Sequence, residues 1–265
     1  MVLPDEIGDA AQDADRDRVM AWLDAGGSID DVDSHGYTLV NCCICGDRDG
    51  EVVNDRHVAL ARHLIALGAD VNIVVRAESG STGVSASGAL APIHEICQRT
   101  RGHLAVLEML SLLLGAGANV NAKDLRNGNT QYSLNTPVTP LYHAIIYQQP
   151  ELCLAMITKL LRAGASLDAC HGDETAEDVL RWSESHRPNL TGDEHWKRLR
   201  ALVAGVRQHG TYKKYMRAPH RDVLAVRGLA QRGKLRTDDP VLHFLARLGD
   251  NGVVWHVLSF WRATN

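Results

Sequence analysis

Cys42, Cys43 and Cys45 crowd into a single helical turn's worth of chain, and His94-Glu95-Ile96-Cys97 sets an imidazole, a carboxylate and a thiol side by side. Such groups could hold zinc or supply a nucleophile with its base. Their spacing argues against both. Adjacent helical positions diverge by about 100°, so three thiols this close cannot easily face one ion. A tetrahedral site would also need a fourth ligand such as His57 or Cys97. The thirteen His are scattered at no metal-ligand spacing. No phosphate-binding Gly loop, no Gly-x-Ser-x-Gly elbow and no His-Glu-x-x-His helix occurs. The expectation is no catalytic residue, no metal and no cofactor, with the thiols as buried, inert groups.

Charge is the second chemistry. Met1 to Asp70 carries fifteen Asp or Glu against five Arg and no Lys, whereas Trp196 to Arg236 carries twelve Lys or Arg against Asp222 alone. An acidic first half suits a basic partner, docking fast and in a salt-sensitive way. The basic segment 197–236 could meet phosphates, and Tyr212 and Tyr215 flank Lys213-Lys214 where they could stack on bases. No nucleic-acid-binding signature accompanies them. Nucleic acid or an acidic partner on this segment is therefore an alternative reading beside a merely solvated face.

The elements that must position these groups come from a phrase that recurs four times: Gly26-Gly27-Ser28-Ile29-Asp30, Gly68-Ala69-Asp70-Val71-Asn72, Gly117-Ala118-Asn119-Val120-Asn121 and Gly164-Ala165-Ser166-Leu167-Asp168. Each copy follows an amphipathic stretch such as Leu64-Ile65-Ala66-Leu67 or Leu160-Leu161-Arg162-Ala163. Gly stops the helix in the left-handed region. Openings such as Ala91-Pro92-Ile93-His94 and Thr139-Pro140-Leu141-Tyr142 place Pro in a first turn, where its missing N–H costs nothing, and Thr at a cap. One such unit cannot bury its apolar face alone, so neighbours must stack.

These openings and phrases resemble the ankyrin repeat. The resemblance covers about residues 5–207. It implies an all-α solenoid of helix-turn-helix units with β-turn fingers, in units of about 1–33, 34–73, 91–122, 139–169 and 172–207. It places His94 where the family's imidazole bonds neighbouring turns. It also places Asn72 and Asn121 where asparaginyl hydroxylation is common. The phrase starts differ by 42, 49 and 47 residues, against about 33 for the family. The excess lies in Cys45–Glu51 and in two long fingers, 74–90 and 125–138. Inserted loops on one face of a solenoid are often its binding face, although slack loops add little cost.

The function these features imply is non-catalytic binding of a protein partner by the fingers and the concave inner-helix face. Candidate contacts are Asp33, Ser34 and His35 on the first finger. Arg76, Glu78 and Ser79 are candidates on the second, Arg126, Asn127 and Asn129 on the third, and His171 and Asp173 on the fourth. These are turn residues that the fold itself is not expected to need.

Residues 208–265 form a basic and apolar extension. Glu194–Gln208 should complete the fifth unit, followed by helices over 222–231, 240–248 and 253–262. The extension reads as a terminal cap, or as a docking module through Trp255, Leu258, Phe260 and Trp261. Repeats followed by a short helical box resemble substrate-recognition adaptors of cullin-type ubiquitin ligases, which makes that a further alternative. Leu104 to Val120 is interrupted by Glu108, Gly115, Gly117 and Asn119, so no membrane span is expected. The chain starts without a basic, apolar leader, and six Cys without a secreted-type framework suit a reducing compartment. An intracellular monomer, cytoplasmic or nuclear, is expected.

Overall fold

All four phrase glycines take up the conformation that their position demands. Gly26, Gly68, Gly117 and Gly164 have φ of 98°, 104°, 86° and 99°, and each follows a helix directly. The computed structural model describes residues 2–34, 36–46, 52–73, 91–101, 103–124, 137–168, 170–240 and 243–244. The described residues form helices α1 Asp5–Gln12, α2 Arg16–Asp24, α3 Leu39–Cys45, α4 Asp55–Ala66, α5 Pro92–Gln98, α6 His103–Gly115, α7 Pro140–Tyr147, α8 Pro150–Arg162, α9 Ala176–His186, α10 Glu194–His209 and α11 Tyr212–Gln231. A 3₁₀ turn covers Pro188–Gly192. No strand occurs among them. Isolated bridges join Val32 to Thr38, Asp124 to Val138, Val138 to His171 and His171 to Glu174.

The chain divides into two compact units, 1–204 and 205–265, where the sequence reading puts the division at 207. In the first unit, α1, α3, α5, α7 and α9 pack consecutively as an inner row, and α4, α6 and α8 as an outer row. Leu64, Leu113 and Leu160 each stand four residues before a phrase glycine, and all three are fully buried. The first copy departs from this pattern. Trp22 holds the Leu position, and a Cβ at Gly27 would lie 2.4 Å from its indole. That contact accounts for Gly where the other copies have Ala.

The polar half of the phrase links one unit to the next. The Asn72 side chain accepts from the Asn119 N–H at 2.7 Å and donates to Gly117 O at 3.2 Å. Asn121 repeats this on Ser166 N–H at 2.8 Å and Gly164 O at 3.2 Å. Asp30 accepts from the Asp70 N–H at 2.9 Å. The last three copies also close their own turns, as where Asp70 accepts from the Asn72 N–H at 2.8 Å. Exposed helix-end groups thus find partners one unit away.

Caps follow the sequence with one correction. Thr38 accepts from the Asn41 N–H at 3.3 Å, and Thr175 forms a capping box with Asp178. Thr139 makes no side-chain cap bond. Its hydroxyl donates instead to Cys170 O at 3.3 Å, tying α7 to the following finger. The expected helix over 222–231 is also corrected. It starts ten residues earlier, at Tyr212, because Thr211 caps it by accepting from the Lys214 N–H at 3.2 Å. Pro219 lies inside this helix rather than breaking it. The expected helix over 253–262 lies outside the described residues.

Candidate functional site

The thiols sit deep in the unit. Cys42, Cys43, Cys97, Cys153 and Cys170 are buried, and Cys45 is half-buried. Burial pushes all five buried thiols up, Cys153 and Cys170 to about 12. Reactivity belongs to the thiolate, so these five are protonated and inert at neutral pH. A thiol reagent should label Cys45 first in the native protein and reach the others only on unfolding. Mass-spectrometric mapping of early adducts checks this, and rapid labelling of Cys43 or Cys97 would contradict it. Among the described residues no group of three His, Cys, Asp or Glu could hold a metal ion.

The imidazoles serve the turns. His94 Nε2 donates to Ala122 O at 3.0 Å. His57 Nε2 donates to Gln12 O at 2.6 Å while its Nδ1 accepts from the Asn54 N–H at 3.3 Å, which fixes the tautomer. His143 Nε2 lies 3.5 Å from Asp124 Oδ2, and both residues are buried. Rings continue this network: His94 meets His143 edge-on at 5.6 Å, and Tyr142 stacks on His171 at 4.9 Å.

The finger residues separate into different roles. Asp33 is only 8% exposed. Its carboxylate accepts from the Tyr37 N–H at 2.8 Å, and its carbonyl from the Gly36 N–H at 3.0 Å. Asp33 therefore builds its turn, a correction to the expectation that the fold does not need it. Ser34 is exposed, with its N–H donated to Asp5 at 3.2 Å. His171 is half-buried between Tyr142 and Glu174, which it meets at 2.7 Å. Asp173 beside it is exposed. His35, Arg76, Glu78, Ser79, Arg126, Asn127 and Asn129 lie outside the described residues. So do Trp255, Leu258, Phe260 and Trp261.

Two aromatic residues on the inner row escaped the sequence reading. Trp182 on α9 is 40% exposed and Tyr147 at the end of α7 is 42% exposed. The Trp182 indole stacks on His186 at 4.0 Å, and Tyr147 stacks on His143 at 5.7 Å. Arg187, just after α9, donates to Ile145 O at 3.0 Å, which holds the two helix ends together. Trp182 falls outside the buried stripe of α9, which is Ala176, Val179, Leu180 and Ser183. Tyr147 follows buried Pro140, His143 and Ala144 at helical spacing, so sequence spacing alone places it on the buried side of α7.

A family model for the ankyrin repeat matches residues 90–125, a span that takes in α5, α6 and the third glycine phrase. No curated protein matches the chain. No helix among the described residues is long and apolar enough to cross a membrane.

Proposed function

Since the chain is an ankyrin-repeat protein, we propose that it is a non-catalytic scaffold that binds a protein partner across its inner helix row and fingers. The observation that carries this reading is the pair of exposed aromatics, Trp182 and Tyr147, on neighbouring inner helices. Exposed Trp and Tyr are enriched at the energetic centres of interfaces, because a large rigid ring loses little entropy on docking. Ser34, His171 and Asp173 would flank this centre as polar contacts. Arg76, Glu78, Ser79, Arg126, Asn127 and Asn129 extend the same proposal along the fingers.

The test is affinity capture from extract with quantitative mass spectrometry. The baits are the full chain, a Trp182→Ala/Tyr147→Ala variant and an Arg76→Glu/Arg126→Glu variant. A hot-spot aromatic contributes about 2 kcal/mol or more, so the aromatic variant should retain only a few per cent of the partner. Its thermal midpoint should hardly move, since surface substitutions usually stay within about 0.5 kcal/mol. Unchanged capture by both variants would remove the inner row and the fingers as the binding face.

A further inference from the structure

The cations between Trp196 and Arg236 differ in their surroundings. On α10, Lys197 Nζ lies 2.6 Å from Glu194 and Arg200 Nη1 lies 2.6 Å from Glu184. These charges are neutralised locally. On α11, Lys213, Lys214, Arg217 and Arg221 are exposed, and no side-chain hydrogen bond or ion pair engages them among the described residues. Lys213, Arg217 and Arg221 follow one another at i, i+4, with Lys214 three residues before Arg217, so all four share one face. Like charges at this spacing repel. The one acid of the helix, Asp222, projects about 100° away from Arg221. Leu224 lies on the same face and is exposed.

The other side of α11 is engaged within its own unit. The Tyr215 ring lies over Gly205, where a Cβ would come within 2.3 Å of it, and meets His209 edge-on at 5.8 Å. Tyr215, Met216, Val223 and Val226 are half-buried.

We infer that the exposed face of α11 docks an acidic polypeptide segment, its carboxylates along Lys213, Arg217 and Arg221 and an apolar side chain against Leu224. A row of cations alone would accept any polyanion. The exposed Leu224 in line with it selects a ligand that also carries apolar side chains, as an acidic peptide does and a phosphate backbone does not. Tyr215 is turned inward, so it is no platform for unpaired bases. The apolar side of the helix also faces inward, which leaves no broad apolar face to enter a bilayer. The α11 cations and Leu224 stand or fall as a docking site whatever the inner-row aromatics bind.

The experiment uses the full chain and fluorescence anisotropy with a labelled peptide of repeated Glu-Glu-Leu. Binding should weaken as salt rises, because exposed charges are screened. Lys213→Glu/Arg217→Glu/Arg221→Glu should weaken it by about tenfold or more. The corresponding Gln substitutions, which relieve repulsion without reversing charge, should also weaken it while helicity by circular dichroism is kept. Lys197→Glu/Arg200→Glu should leave it unchanged. The inference is overturned if the peptide does not bind, or binds the triple variants as well as it binds the natural protein. It is equally overturned if DNA oligonucleotides or phosphatidylserine vesicles bind more tightly than the peptide. Self-association that the triple reversal abolishes would also overturn it, in favour of a second copy with its acidic first seventy residues.

Discussion

Trp196→Ala should destabilise the first unit by about 3–5 kcal/mol, the range for truncating a buried Trp. Trp196 is among the largest fully buried side chains in the structure. Its indole N–H donates to Glu184 Oε1 at 2.9 Å, and the Arg187 guanidinium sits 5.8 Å from its ring centre. Truncation therefore opens a cavity and removes a donor from a carboxylate in one step. Burial pushes Glu184 up, but the hydrogen bonds from Trp196 and Arg200 outweigh it and hold the carboxyl below its ordinary value. A depressed carboxylate stabilises the fold above its unfolded pKa and loses that contribution as the pH falls through its folded value. The gap between natural and variant protein should accordingly narrow in acid. Stacked units interact mainly with their neighbours, so hydrogen exchange should quicken in α9 and α10 and stay slow in α3 and α4. Urea unfolding measures the total. A loss below about 1 kcal/mol, or uniform loss of protection, would mean that Trp196 does not anchor this end of the array.

Gln148→Leu should cost about 2–6 kcal/mol although it keeps the side chain's approximate volume. Gln148 is fully buried just beyond α7, and its Nε2 donates to Cys97 O at 2.6 Å and Arg99 O at 3.1 Å. Helix ends leave carbonyls without partners, and the last turn of α5 and the Arg99 after it each find a donor in a side chain from the next unit. Leucine leaves both carbonyls without that donor, at about 1–3 kcal/mol each. Gln148→Glu should be at least as damaging at neutral pH, since a carboxylate would face two carbonyl oxygens. Urea midpoints within experimental error of the natural protein for both substitutions would show that water replaces the amide.

These two residues mark the limit of sequence reading. Gly26, Gly68, Gly117 and Gly164 were legible because only glycine takes positive φ without strain, and the recurrence named the array. Leu64, Leu113 and Leu160 were legible from helical spacing, and His94 from its place in the opening motif. Gln148 was not, because nothing in its neighbours along the chain predicts a carbonyl partner fifty-one residues away. Asp33 looked like a surface turn residue. It is buried because its carboxylate closes its own turn on the Tyr37 N–H. Trp182 was hidden in a helix whose buried stripe looked complete and Tyr147 at a spacing that points inward, and their exposure depends on which side of each helix the neighbouring units cover.

By itself the sequence determined the local elements: helices ended by left-handed glycines, Pro and Thr at first turns, and apolar stripes that require a stacked neighbour. Only the tertiary structure decided which polar groups are partners across units and which aromatics and cations stay in solvent. It showed that Lys197 and Arg200 on α10 are paired with carboxylates, while Lys213, Arg217 and Arg221 on α11 are exposed. The physical reason is range. Backbone conformation and helical periodicity act within a few residues of chain, so composition and spacing record them. Hydrogen-bond partners, charge neutralisation and exposure depend on surfaces that meet only after the units stack.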